Sequence, residues 1–235
     1  MTLLSTRGLS KRFGGLKAVD KVDFDLSEGE VRALIGPNGA GKTTFVGMIC
    51  GRIAPDAGRV HFDGADVTAL PAHKRILRGM AYTFQITSVF ARLDVAENVA
   101  LAARRRLRGR AVARAVDETL ARVGLLGREG EEAGNLSYGH QRLLEIAMGL
   151  VQKPRLLILD EPTQGLAEGE IAGFKLLLRE VATEATVLLI EHNMNVVMET
   201  ADRVSVLDFG RLLAEGTPRE IHENAAVQAA YLGTG

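Results

Sequence analysis

The chain has 235 residues, 46% hydrophobic and 25% charged, with 29 basic residues balanced by 29 acidic ones. This describes a globular chain able to bury a substantial core, and a zero formal charge gives no global attraction to polyanions, so no nucleic acid partner is expected. Cys50 is the only cysteine, which excludes an intrachain disulfide, fits a reducing compartment and reads as a small buried apolar group. No run approaches the roughly 18 apolar residues of a membrane span, so any membrane connection is expected to come through a partner.

The first elements in chain order are strands. Leu3–Leu9 and Ala18–Asp25 flank the turn FGGL, and Arg59–Asp63 runs into the turn FDGAD; together they predict an antiparallel flank. Val31–Ile35 is a short apolar run that leads into a glycine-rich turn and a helical pattern. Between Leu93 and Gly134 the strands stop. DVAENVALAARRRL and AVARAVDETLARVGL have helical composition and period, separated by RGR and closed by Gly124 and Gly127. Leu156–Leu159, Val187–Ile190 and Val204–Leu207 resume the buried-strand pattern. The expected fold class is α/β with a mainly parallel sheet. The expected organisation is one domain, 1–235, with an α/β core over 1–92 and 154–235 and a helical subdomain over 93–153.

The sharpest local signal is GPNGAGKTT, Gly36 to Thr44. It follows a strand, precedes a helix, and has the glycine, four residues, Gly-Lys-Thr spacing of a P-loop. Within Gly36, Pro37, Asn38, Gly39, Ala40, Gly41, Lys42, Thr43 and Thr44, the glycines let successive N–H groups face phosphates. Lys42 brings positive charge to the β and γ phosphates, and the Thr43 hydroxyl can reach Mg²⁺. Nucleoside triphosphate binding follows from these residues.

RLLILDEP, Arg155 to Pro162, ends a buried strand on two acids. Asp160 suits the metal's water shell and Glu161 suits a general base for an attacking water. Gln85 and His192 stand at the ends of two more strands, where ligands of open α/β sheets gather. Gln85 could offer its amide oxygen to metal or water, and His192 a hydrogen bond to the γ phosphate. NLSYGHQRLLEIA, Asn135 to Ala147, begins a helix with Ser137 as cap, yet places Gly139 in its first turn, where glycine costs about 1 kcal/mol relative to alanine.

In order and spacing these motifs resemble those of the ATP-binding subunit of ABC transporters over essentially the full chain. The resemblance implies an ATP-binding, Mg²⁺-dependent ATPase of the P-loop fold with an inserted helical subdomain. It also implies a head-to-tail dimer with a second ABC ATPase, identical or related, each ATP lying between one chain's P-loop and the other's LSYGH signature. Ser137 and Gly139 would then meet the γ phosphate on the opposite chain, with Gly139 permitting close approach. Phe13, in KRFGG, matches the position that stacks on adenine, although an isolated Phe beside a turn is more often plain packing. ITSVFARLDVAENV matches the segment that contacts a membrane permease, with Val89 and Phe90 as docking residues. The resemblance thus implies integral membrane permease subunits as partners, a periplasmic or extracellular solute-binding protein indirectly, and a peripheral place on the cytoplasmic face of the inner membrane.

Two positions depart from the family pattern. His140 replaces the usual Gln at the end of the signature, and Ala167 stands where Asp or Asn is usual. FGGLKAV, TFQ, LSYG, IEHNM, EGTPREI and AYLG most resemble the ATPases of branched-chain amino acid importers, a group that commonly pairs two different ATPases. Closely similar ATPases serve urea or short-chain amide import and lipopolysaccharide export, and soluble ABC ATPases form a further alternative. From Arg104, RRRLRGRAVAR carries six arginines in eleven residues, read as a solvated face of the helical subdomain; lipid headgroups or nucleic acid are alternative contacts, the latter weakened by the lack of interleaved aromatics and the neutral total charge.

Overall fold

The computed structural model describes residues 1–83 and 88–232. In chain order the elements are β1 (Thr2–Phe13), β2 (Leu16–Ser27), β3 (Val31–Ile35), α1 (Lys42–Ile49), β4 (Ala57–Phe62), β5 (Ala65–Asp66), α2 (Ala72–Leu77), β6 (Met80–Tyr82), α3 (Val95–Ala103) and α4 (Arg110–Arg122). They continue with α5 (Tyr138–Leu150), β7 (Leu156–Asp160), α6 (Glu168–Val181), β8 (Thr186–Ile190), α7 (Met194–Thr200), β9 (Arg203–Asp208), β10 (Arg211–Gly216), α8 (Pro218–His222) and α9 (Ala225–Leu232). The chain forms two compact units, Met1–Met80 with Thr186–Gly235, and Ala81–Ala185.

The first unit holds the expected antiparallel flank, in the order β2-β1-β4-β5. Its strands outrun the hydrophobic pattern. Leu4, Leu9, Val19, Val22, Phe24 and Leu26 face the core, but Gly8 at φ 59° and register shifts after Thr6 and Leu9 break the alternation. Backbone pairing nevertheless continues to the Phe13–Leu16 closure of the hairpin. An edge-to-face contact between Phe24 and Phe45, 5.6 Å between centroids, fixes this sheet to α1.

The same unit contains β3 paired in parallel with both β8 and β9, and β10 antiparallel to β9. β3 and β8 are buried throughout, as expected of parallel strands covered on both faces. The register matches Leu34 with Ile190 and Ile35 with Val206. The chain therefore leaves β3, β8 and β9 at one edge, which sets Gly36, Glu191–His192 and the Phe209–Gly210 turn beside one another.

Two buried arginines tie this frame together. Arg32, inside β3, meets Glu30 at 2.5 Å and Glu215 at 2.6 Å, and donates to Ser205 Oγ at 2.8 Å. Arg75 donates to the carbonyls of Met48, Ile49, Leu70 and Thr68. It thereby satisfies acceptors that the end of α1 leaves open.

In the second unit α3, α4 and α5 pack on one another, and β7 is buried throughout beside β6. α3 starts where Asp94 accepts the Glu97 N–H at 2.6 Å, and α5 starts where Ser137 accepts the His140 N–H at 3.2 Å. α3 ends at Ala103, short of the expected span. Arg106 reaches the Gln152 carbonyl at 2.6 Å and Arg105 the Gln152 Oε1 at 2.7 Å. Arg104 and Arg114 pair with Glu97 and Glu118. The arginine run is thus largely braced by its own unit.

Among the described residues, no helix is long and apolar enough to cross a membrane.

Candidate functional site

In the first unit, β3 hands the chain to a loop whose turns only glycine can follow. Gly36 has φ 150°, Gly39 79° and Gly41 99°. A Cβ on Gly36 would lie 2.1 Å from the Leu207 carbonyl oxygen, and one on Gly41 2.2 Å from that of Ala18. The loop is therefore pressed against two neighbouring strands by its backbone. Gly39 has nothing within 4 Å in that direction, so the side away from the strands is open. Lys42 curls over the loop, its Nζ donating to the carbonyls of Gly36 at 2.6 Å and Pro37 at 3.1 Å. Pro37 and Ala40 are buried, while Asn38, Gly39 and Thr43 are exposed and Thr44 is half-buried. α1 has Gly41 as N-cap and no side-chain cap, so its first N–H groups and dipole remain to be met by an anion.

The β9–β10 turn braces this cradle: Gly210 N–H donates to the Ala40 carbonyl at 2.9 Å, and Asp20 N–H to the Gly210 carbonyl at 2.8 Å. Asp20 also takes Arg211 at 2.7 Å and Lys17 at 3.2 Å. The hydrogen bond from Arg211, then that from Lys17, holds the Asp20 carboxyl below the usual carboxylate range. Tyr231, in the AYLG segment, meets the Gly36 backbone; burial raises its phenol above the ordinary value and the Gly36 hydrogen bond works against that rise. The sequence reading used this segment only as a family marker.

His192 is exposed just after β8. The preceding Glu191 is 1% exposed, and its Oε2 accepts the N–H groups of His192 at 2.9 Å and Asn193 at 3.0 Å. That carboxylate shapes the turn which presents the imidazole. A buried acid ending an apolar strand was the available signal, but the sequence reading assigned Glu191 no role.

In the second unit, Asp160 ends β7 and is 3% exposed. Its Oδ2 accepts from the Tyr82 hydroxyl at 2.8 Å, and its N–H donates to Thr83 Oγ1 at 3.2 Å. Glu161 follows at φ 50°, a left-handed conformation uncommon for a side-chain-bearing residue and frequent where a functional group must be aimed. Gln85 lies outside the described residues. Phe90 is half exposed, and its backbone is held by the buried Asn98, which accepts its N–H at 2.7 Å and donates to its carbonyl at 3.1 Å.

The LSYGH turn packs against the loop that follows Glu161. A Cβ on Gly139 would meet the Gly165 carbonyl oxygen at 2.9 Å and Leu166 Cδ2 at 2.9 Å. The space left by its missing side chain is thus filled by the chain's own loop, so packing requires glycine here whatever its backbone meets. Gly165 is constrained in return: at φ 82°, its Cβ would strike the Tyr138 ring at 2.4 Å. The Tyr138 hydroxyl accepts from Arg142 at 3.1 Å and donates to Gln164 Oε1 at 3.3 Å. Ser137 stays exposed at the rim, 2.9 Å from His140 Nδ1. In the first unit, Phe13 is 50% exposed beside the β1–β2 turn, with Lys11 Nζ 5.6 Å from its ring centroid.

A glycine cradle and lysine at the end of a parallel strand, with acids ending a second buried strand, define the P-loop class of nucleotide-binding folds. A family model described as "ABC transporter" matches residues 19–164, and one described as "Branched-chain amino acid ATP-binding cassette transporter" matches residues 211–235. The chain belongs to the ABC transporter family and is an ATPase subunit of that class.

It is 39% identical to the high-affinity branched-chain amino acid transport ATP-binding protein BraF of Pseudomonas aeruginosa, over 98% of both chains. Identity to LivG of Escherichia coli K12, a protein of the same description, is also 39% with 98% of both chains covered. The lipopolysaccharide export system ATP-binding protein LptB of Haemophilus influenzae is 31% identical over 99% of this chain and 98% of that one. Among solved structures, the ADP conformation of MJ1267, an ATP-binding cassette of an ABC transporter, superposes with a TM-score of 0.90 at 28% identity over 99% of each chain. A dimeric post-hydrolysis state of the cassette MJ0796, bound to ADP and Pi, gives 0.85 at 25% identity over 92% of this chain and 99% of that one.

Proposed function

We propose that this chain binds and hydrolyses ATP at the Gly36–Thr44 cradle and thereby powers a membrane permease. The single observation that carries the reading is the cradle itself: a backbone fixed by Leu207 and Ala18, with an open side and Lys42 across its mouth. Lys42 and the loop amides take the β and γ phosphates, and His192 donates to the γ phosphate as turnover proceeds. Glu161 orients the attacking water and accepts its proton. Phe13 supplies an exposed ring for the adenine.

Thr43, Gln85 and Asp160 are the residues that would hold Mg²⁺. A hydroxyl, an amide oxygen and a buried carboxylate form the all-oxygen donor set this ion prefers. Held there, Mg²⁺ would supply positive charge against the charge that develops in the transfer.

The exposed Ser137 and the Gly139 backbone complete the site of a second chain. Two copies of this chain carry the surfaces needed for that closure, and in the assembled transporter the second chain is another copy or a related ATPase. The dimeric MJ0796 cassette supports such pairing. The half-exposed Phe90, with Val89, offers the contact to the permease, and a chain docked in this way would sit peripherally on the cytoplasmic face of the inner membrane.

The cargo we favour is a branched-chain amino acid. BraF and LivG stand at 39% identity against 31% for LptB, and the match at residues 211–235 supports the same choice.

Two experiments test this function. Lys42→Ala should weaken ATP binding at least about tenfold, the scale of one lost charge-assisted hydrogen bond; unchanged binding would remove the cradle from the account. Deleting the gene should abolish uptake of labelled leucine, isoleucine or valine, and unchanged uptake of all three would discard the cargo while leaving the ATPase assignment intact.

A further inference from the structure

His140, the departure from the family signature, joins two segments. Its Nδ1 lies 2.9 Å from Ser137 Oγ, and its Nε2 lies 3.3 Å from Glu170 Oε1. The other oxygen of Glu170 accepts the Ala167 N–H at 2.7 Å. The ring side chain is 22% exposed and that of Glu170 29%. A cavity of about 240 Å³, lined by Arg122, His140, Glu170 and Phe174 among others, gives solvent a way to the ring.

Among the described residues, ionisable groups approach the ring from three helices. Glu170 faces it from α6. Arg122 faces the same cavity from α4 and is paired with Glu180 and Glu184. On the α5 side stand Tyr138, Arg142 and Glu145, the last two closed on each other at 3.1 Å.

We propose that His140 is a positioning residue for the Ser137 hydroxyl, and that closure of a γ phosphate onto Ser137 is coupled to uptake of one proton by the His140 ring. This rests on the reading that Ser137 meets the nucleotide of a second chain.

An ionised carboxylate only accepts, so Nε2, facing Glu170, carries the proton of the neutral ring. Nδ1 is then an acceptor, and Ser137 must spend its hydroxyl hydrogen on it. What Ser137 then turns outward is the lone pair not taken by the His140 backbone N–H, and phosphate oxygens are acceptors as well. A second proton, taken from solvent onto Nδ1, reverses the bond: the ring donates to Ser137 Oγ, and the hydroxyl hydrogen is released to the phosphate. A glutamine could instead donate from its amide to Ser137 at any pH, freeing the hydroxyl without titration.

Two measurements decide the proposal. In ¹⁵N-histidine-labelled, nucleotide-free protein, His140, assigned by difference from His140→Gln, should be the Nε2–H tautomer when neutral. Its Nδ1 signal should shift in Ser137→Ala. The Nδ1–H tautomer, or no shift, would overturn the proposal.

The KM for ATP should rise with pH, by at most about tenfold per unit, the limit for one linked proton. In His140→Gln it should stay flat and fall below the wild-type KM at the alkaline end, with kcat little altered. Equal slopes in the two proteins would overturn the coupling. Absence of turnover at every pH in the unsubstituted protein would instead defeat the nucleotide reading of Ser137, and the tautomer measurement would still decide whether His140 orients it.

Discussion

The P-loop and the LSYGH turn are both helix starts punctuated by glycine, and they are built in opposite ways. At the P-loop, strands press on the backbone from one side, Gly41 caps α1 without a side chain, and the amides on the other side stay open. At the signature, glycine serves internal packing against Gly165 and Leu166, and a side chain, Ser137, caps the helix. The first arrangement has the backbone and charge that the proposed phosphate cradle needs. The second is a rim with an exposed hydroxyl at Ser137. On the proposed reading, a site built for a whole ligand differs in this way from a surface that finishes a site located elsewhere.

The sharpest way to break that comparison is to remove the chemistry and leave both surfaces in place. Glu161→Gln should lower turnover by about 100-fold or more, the usual scale for a lost general base, while ATP binding persists; turnover within a few-fold of wild type would remove Glu161 from that role.

Substitution within the cradle tests the next largest effect. Gly36→Ala drives a Cβ into the Leu207 carbonyl at 2.1 Å, so both ATP affinity and Tm should fall. Gly39→Ala meets open space and should cost only the left-handed penalty of about 1 kcal/mol. Equal losses in the two variants would contradict a cradle held from one side.

At the signature side, α6 has Ala167 as its N-cap, whose methyl side chain cannot accept a hydrogen bond, although Glu170 supplies the reciprocal half of a capping box. Ala167→Ser should add the missing acceptor and raise stability by up to about 1 kcal/mol, read as a small rise in Tm with the cradle's ATP affinity unchanged.

The smallest expected effect is electrostatic. The folded-state pKa of Asp20 is depressed by Arg211 and Lys17, so its contribution is present above the ordinary carboxylate range and is lost as pH falls through the folded pKa. The Tm difference between wild type and Asp20→Asn should therefore be visible near neutrality and vanish in strong acid. A difference that grows on acidification would reverse the assignment.

What the sequence made legible was local. The Gly36–Thr44 spacing, the run ending at Asp160 and the Ser137 cap are each written in consecutive residues, and the α/β class follows from the short apolar runs. Arg32 sits within an apolar run with no local sign that its charge meets Glu215, 183 residues away. Arg75 is equally silent, because its partners are carbonyls, which every residue has. At Gly139 the sequence suggests close approach of a phosphate but gives no sign of Gly165 and Leu166, which folding brings into the space a side chain would take. The first strand was read as ending at Leu9 because the irregularity around Gly8 interrupts the side-chain alternation while backbone pairing carries on.

The most direct test of the claim that the rim at Ser137 completes another chain's cradle is the solution mass of the Glu161→Gln protein, by light scattering with and without Mg-ATP. The account predicts a monomer without nucleotide and a dimer with it, the dimer being lost on adding Ser137→Ala. A protein that binds ATP in the same sample and remains monomeric would contradict it.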